Sequence, residues 1–396
     1  MSHRSVGETS LAIRDVSAAR CAVALRDHGH ATVADVARRL GLSRPTVEAG
    51  LSAMVARAMV VETDGHTAGG RGVGRPARLF AFNNAAGYFI GVDIGIHRIR
   101  VAVADLAGGV VSWVDEQAPT GMSGPARLSM VKDLVHQALH SADVSVSDVV
   151  ALAAAVSGMV NAEGRLIASV LLSEWEGVDV AGHLRAEFNC AVIVENDMRL
   201  AALAEHRFGA ARLMDDVVFF FAGHRIAMGL LIDGELRRGH NSAAGEIGEM
   251  AFGTMLNASG DLTWRAAATG EEVFRQAAAG DAGSQAEVAE FVEGLAAGMA
   301  LVTMAIDPDI VVIGGGLSGA GDVLLEPLRD SINAQIRVPV RPAIRGSELG
   351  TEAVVLGALA LAGNEATDVR LGVRGLPAVS IDVAGARSSA QQGGRS

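Results

Sequence analysis

The stretch GVDIGIHRIRVAVADL, residues 91–106, constrains this chain more than any other. Residues 91–95 end one expected strand and residues 99–105 alternate as a second, so a tight turn joins two paired strands. Such a turn can bring backbone N–H groups onto a phosphate, provided that its side chains stay small. Here the turn carries Ile96 and His97. A β-branched isoleucine disfavours positive φ and fills the volume an anion needs. The segment has the shape of a nucleotide loop without the cradle. Asp93 in the same loop is expected to be a structural hydrogen-bonding residue rather than a metal-positioning one.

Beyond residue 87, apolar strands are expected near 88–94, 99–104, 109–114, 149–156, 191–195, 216–222, 227–232 and 310–313. Amphipathic helices are expected near 125–141, 180–188, 198–208, 285–306, 320–334 and 351–363. Hairpins followed by helical crossovers specify an α/β fold with mixed sheets. The tail after about residue 365 gains Gly, Ser, Gln and Arg and is expected to be disordered. The chain thus divides into residues 1–83, 84–364 and 365–396. Half of its residues are hydrophobic, yet no uncharged apolar run reaches the length of a membrane span. The first fifteen residues carry no apolar signal segment. A cytoplasmic protein with no membrane partner is expected. Cys21 and Cys190 are expected to be reduced core residues and cannot form a cysteine-rich zinc site.

The net charge of −12 is unevenly spread. Residues 1–82 hold 11 Arg against 7 acidic residues, a balance of +4, and the rest stands at −16. A basic module on an acidic body points to a polyanion met by the first part alone. There, a helix over 14–28 precedes VADVARRL, capped by Thr32, and a third helix capped by Ser43 with Pro45 in its first turn. Two strand-like pieces, 59–62 and 78–82, enclose a Gly- and Arg-rich loop. The pattern is a winged helix-turn-helix. Ser43, Arg44 and Thr46 suit phosphate and base-edge contacts at the start of a reading helix, with Glu48 and Ser52 on its outward face. Arg71, Arg75 and Arg78 suit a wing that follows the backbone or enters the minor groove. Double-stranded operator DNA is the expected partner. The alternative is a helical protein-docking module with a charged loop.

The chain resembles the ROK family of repressors and sugar kinases, in the branch with an N-terminal winged helix. The resemblance runs from about residue 14 to 363 through GLSRPTV, GRPA, GVDIG, VENDMRLAALAE, GELRRGHNSAAGEIGEM, DPDIVVIGGGLSGAGDVLLEPL and EAVVLGALALA. It implies a two-lobed actin-like ATPase (ribonuclease H-like) fold with a cleft. It gives Asp197 the role of catalytic base in kinases and has Asn196 and Asp197 hold sugar hydroxyls. By residue type alone the pair equally suits a helix N-cap. The resemblance also places Glu246 on the sugar, and Glu249 where the family has a sugar-touching, zinc-binding His. The following residues lack the family's cysteines, so no metal is expected. The second phosphate loop is equally bulky, with His224, Arg225 and Ile226; Arg225 can itself meet an anion. Gly314–Gly316 reads as a tight strand-to-helix turn.

The expectation is a transcriptional regulator, a repressor, without kinase activity or cofactor. Its body binds a sugar or sugar phosphate through Asn196, Asp197, Glu246 and Glu249 and assembles a homodimer or homotetramer. The alternative is an ATP-dependent sugar kinase with a DNA-binding extension, for which Asp197 is the catalytic residue.

Overall fold

The computed structural model describes residues 6–63, 78–119, 121–257, 260–339 and 341–393. The chain begins with α1 (Val6–His28), the short strand β1 (Ala31–Thr32), α2 (Val33–Leu40) and α3 (Arg44–Ala56). β2 (Val60–Thr63) and β3 (Leu79–Phe82) then pair antiparallel, with β1 on the far side of β3. Local chemistry sets the helix starts. Thr32 and Asp35 cap α2 reciprocally, each side chain accepting from the other residue's N–H at 3.3 Å. Ser43 caps α3 by accepting from the Thr46 N–H at 3.3 Å. Val36, Val47, Leu51 and Met54 form one buried face against α1. Cys21 lies buried in that core.

The body repeats one sheet pattern twice. In the first lobe β4 (Tyr88–Ile94), β5 (Arg98–Asp105) and β6 (Val110–Gln117) form an antiparallel meander. After α4 (Gly124–Ser141), β7 (Val149–Val156) lies parallel to β4. A small hairpin, β8 (Met159–Val160) with β9 (Leu166–Ala168), and α5 (Val180–Phe188) lead to β10 (Ala191–Asn196), parallel to β7. β7 is VVALAAAV and every residue is buried, as a central parallel strand covered on both faces requires. Next, α6 (Asp197–Phe208) crosses to the second lobe. There β11 (Val217–Ala222), β12 (Ile226–Ile232) and β13 (Glu235–Leu236) repeat the meander. Three helices follow: α7 (Gly248–Phe252), α8 (Gly270–Ala278) and α9 (Ala282–Ile306). β14 (Ile310–Gly314) is parallel to β11. Through α10 (Asp322–Gln335) the chain reaches β15 (Ala343–Gly346), parallel to β14. α11 (Ala353–Leu371) returns to the middle, and α12 (Val383–Gly393) follows.

Each lobe has its own apolar core on the outer face of its sheet. A third core, built on α6 and α11 between the sheets, continues into the N-terminal helices. Among the described residues α9 alone is long and apolar enough to cross a membrane, and half of its apolar window is buried in this fold.

The expected disorder after residue 365 is corrected by the structure. α11 runs on to Leu371, and the segment beyond buries Val379, Ile381 and Ala386. α12 lies along β6, and Arg387 donates to Glu352 at 2.9 Å. Composition missed this because three well-placed apolar residues suffice to dock a Gly- and Ser-rich segment onto an existing surface.

Candidate functional site

The C-terminal ends of β4, β7 and β10 are neighbours in the first sheet, and α6 starts at that edge. Asn196 is the N-cap of α6. Its side-chain carbonyl accepts from the N–H groups of Met198 at 2.9 Å and Arg199 at 3.1 Å, and its amide donates to the Gly158 carbonyl at 3.1 Å. The capping reading of Asn196 is therefore realised, and little of its side chain is left for a ligand. Asp197 follows as the first residue of the helix. It accepts from the Met198 N–H at 2.9 Å and takes a short hydrogen bond from the Ser157 hydroxyl.

Burial pushes the Asp197 carboxyl up to about 7, against the Ser157 hydrogen bond, and the charges of Asp93 and Glu246 add to the rise. Asp93, on β4, is also buried and pushed up to about 6; Arg100, 3.0 Å away, opposes that shift. Its ion pair agrees with the structural role expected for it. Glu246 is an exposed residue whose carboxyl is pushed up by partial burial, against the charge of Arg199. Glu249 lies on α7, with its side chain outside those described.

The loop that carries Glu246 is tied to α6 by residues that sequence reasoning missed. Arg199 is almost wholly buried and donates to the carbonyls of Ser242 at 2.7 Å and Ala244 at 3.1 Å. It also pairs with buried Glu195 at 3.0 Å, whose second oxygen takes a short bond from Arg238. The spacing of Glu195 and Arg199 gave no helical signal, because Glu195 ends β10 and only Arg199 lies on α6. The loop contacts had none either. The result is a group of carboxyls at one helix start, one of them near neutrality. Such a carboxyl can accept or donate a hydrogen bond, and can take a proton from a hydroxyl.

The β4–β5 and β11–β12 turns, which the resemblance sets against phosphates, each make contacts within the chain. The carbonyls of Gly95 and Ile96 accept from Arg127 at 2.6 and 3.0 Å, and Ile96 packs on the first lobe's core. In the β11–β12 turn, Arg225 lies 3.0 Å from Asp261, so the guanidinium expected to meet an anion already has an acidic partner. His224 packs edge-on against Phe221, and burial with the Arg225 charge depresses its pKa. Gly315 has φ +89°, and a Cβ there would stand 2.4 Å from the Ala222 carbonyl oxygen, which accounts for the glycine turn without any ligand.

On the N-terminal module, Ser43, Arg44, Thr46, Glu48 and Ser52 are exposed along α3. The hydroxyls of Ser43 and Thr46 are 2.7 Å apart. Arg78 donates to Glu48 at 2.9 Å, lies 3.5 Å from Glu62 and stacks over Phe80. Arg71 and Arg75 lie outside the described residues.

A duplicated α/β body with a carboxyl-lined edge between its lobes is that of a sugar-kinase-like protein. The ROK family profile matches residues 89–260 and 249–365, and the chain belongs to the ROK family. It is similar to a protein named xylose repressor from Caldicellulosiruptor bescii, 23% identical over 82% of this chain and 90% of that one. A xylose repressor from Bacillus subtilis is 27% identical, over 55% of this chain and 56% of the relative. A glucokinase from Streptomyces coelicolor is 28% identical over 70% of this chain and 98% of its own length. Among solved structures, a ROK family transcriptional regulator described as a homologue of the E. coli MLC protein covers 91% of this chain with a TM-score of 0.71 at 20% identity, a likeness of fold.

Proposed function

We propose that this protein is a DNA-binding transcriptional regulator, a repressor, with a sugar-kinase-like body of the actin-like ATPase class that binds a sugar-type effector. One observation carries the reading. A three-helix module with a β2–β3 hairpin precedes a ROK body, and the likeness to a protein named xylose repressor extends over 82% of the chain. In this reading residues 1–83 are a winged helix-turn-helix, and α3 enters the major groove of operator DNA. Ser43, Arg44, Thr46 and Ser52 face the duplex, and Arg71, Arg75 and Arg78 track its backbone. The +4 balance of the first 82 residues supports contact through this module. Asp197 and Glu246 bind effector hydroxyls. The assembly is a homodimer or homotetramer, whose two-fold axis calls for a palindromic site.

The body performs no phosphoryl transfer in this reading. That reaction depends on positioning and on stabilising phosphate charge. Ile96, a bulky residue packed on the first lobe's core at the β4–β5 turn, and Asp261 beside Arg225 support its absence. The alternative, an ATP-dependent sugar kinase, draws on Asp197 near neutrality and on the glucokinase relative. Two measurements decide. Binding of genomic fragments by the full chain should disappear when residues 1–83 are deleted. A coupled assay over a hexose panel should show no turnover; turnover abolished by Asp197→Asn would establish the kinase instead.

A further inference from the structure

The proposed reading helix is fastened to the body at its own end. Arg57 is the C-cap residue of α3, and its guanidinium donates to the carbonyls of Arg370 at 2.6 Å and Leu371 at 3.1 Å. Those are the last two residues of α11, where helix carbonyls lack partners and the helix dipole is negative. A guanidinium fork satisfies two such carbonyls at once. On α1, Arg26 adds a second hold, donating to the carbonyls of Pro377 at 2.8 Å and Ala378 at 3.2 Å.

Nearer its start α11 meets, through backbone, the two elements that carry Asp93 and Asp197. A Cβ on Gly91 would stand 2.6 Å from the Leu359 nitrogen, and one on Gly357 would stand 1.9 Å from the Leu200 oxygen. Gly91 lies two residues before Asp93 on β4, and Leu200 lies three after Asp197 on α6. The nearest atoms in both contacts are backbone, which cannot yield by changing rotamer. A shift of β4 against α6 when a ligand enters must displace α11 rather than be absorbed by rotamer changes.

We propose that Arg57 is a positioning residue for DNA reading: it fixes the orientation of α3 on the body and, through α11, makes that orientation depend on occupancy of the cleft. The DNA and effector parts rest on the regulator reading above; the joint between α3 and α11 does not.

The joint is tested on the full chain with nitroxides at Ser52→Cys and Val369→Cys, both exposed positions, in a Cys190→Ser background. The expected result is a narrow distance distribution, which Arg57→Ala broadens about twofold and Arg57→Lys, with charge but no fork, broadens less. An unchanged width in Arg57→Ala overturns the joint. On a duplex selected from genomic fragments by the unaltered chain, Arg57→Ala weakens binding about tenfold with the same salt slope, because Arg57 meets no phosphate. A slope reduced by about one makes it a direct phosphate contact and overturns the positioning role. D-xylose and D-glucose serve as effector probes. Arg57→Ala keeps the sugar-induced Tm shift and loses the sugar-induced change in DNA affinity; a full-sized change overturns the coupling. If the unaltered chain binds no duplex, the regulator reading falls and the DNA role of Arg57 falls with it, while the width measurement still decides the joint.

Discussion

Burial carries the carboxyl of Asp197 up to about 7, although the Ser157 hydroxyl and the Met198 N–H both donate to it. In the unfolded chain the same group titrates near 3.8, so the folded protein holds this proton more tightly. Its contribution to stability is fully present below about pH 4 and is lost as pH rises through about 7, with Asp93 acting in the same direction through about 6. Asp197→Asn removes that loss. Thermal melts from pH 4 to 8 should show a flatter profile for the variant, and a higher Tm at pH 8 by the equivalent of about 2–4 kcal/mol. Identical profiles would show that Asp197 is not the titrating group. The pair Asn196–Asp197 was legible in the sequence as a helix start. Ser157 was not, because it meets Asp197 only through the parallel pairing of β7 with β10. Glu48 illustrates a different limit. Its outward placement was legible, but its pairing with Arg78 depends on how the β2–β3 hairpin folds back on α3. Glu48→Gln removes the nearer of the two acidic partners of Arg78, leaving Glu62 at 3.5 Å, and removes a charge that repels phosphate. Binding to any duplex should tighten, and the salt slope should steepen by about 0.9, corresponding to one added phosphate contact. A slope that does not change would place Arg78 away from the backbone.

The elements differ in how far sequence defines them. α2 and α3 begin where their capping side chains say they must, and β7 announces a central strand by its unbroken apolar run. The loop from 237 to 247 has no such local signal, since Arg199 reaches it from another element. Replacing Arg199 with Met removes both carbonyl contacts and leaves buried Glu195 with the Arg238 ion pair and the Asn196 N–H. Urea unfolding should register a loss of about 3 kcal/mol, because one member of a buried ion pair is left short of its partner. The packing of α6 on α11 is set by shape rather than charge. Gly357→Val must push the helices apart at Leu200, where even a Cβ would overlap the carbonyl oxygen at 1.9 Å. Overpacking of this kind costs about 1–3 kcal/mol or more. A Tm equal to that of the unaltered chain would mean that the two helices are not in backbone contact.

At the scale of the whole molecule, the alternation of strands and helices made the α/β class legible, and the repeated sheet order shows why the body has two lobes. The C-terminal segment was misread because composition reports average character, whereas docking depends on a few positions. Val379 and Phe89 both lie against Gly363, Ile381 and Ala386 are buried in the same segment, and Arg26 of the N-terminal module bonds to its carbonyls. The segment therefore connects three parts: α11, the outer edge of the first sheet and α1. A chain ending at Gly372 keeps both lobes and the Arg57 acceptors but loses this connection. It should fold with stability lowered by up to about 4 kcal/mol, the apolar burial of those side chains. Hydrogen exchange should rise in α1 more than in β11 or β14, because the lost contacts adjoin the module and not the second sheet. A truncated chain with unaltered Tm and unaltered α1 exchange would mean that the segment rests on the surface without supporting it, and that the contacts of Arg57 and Arg26 with α11 suffice to hold the module on the body.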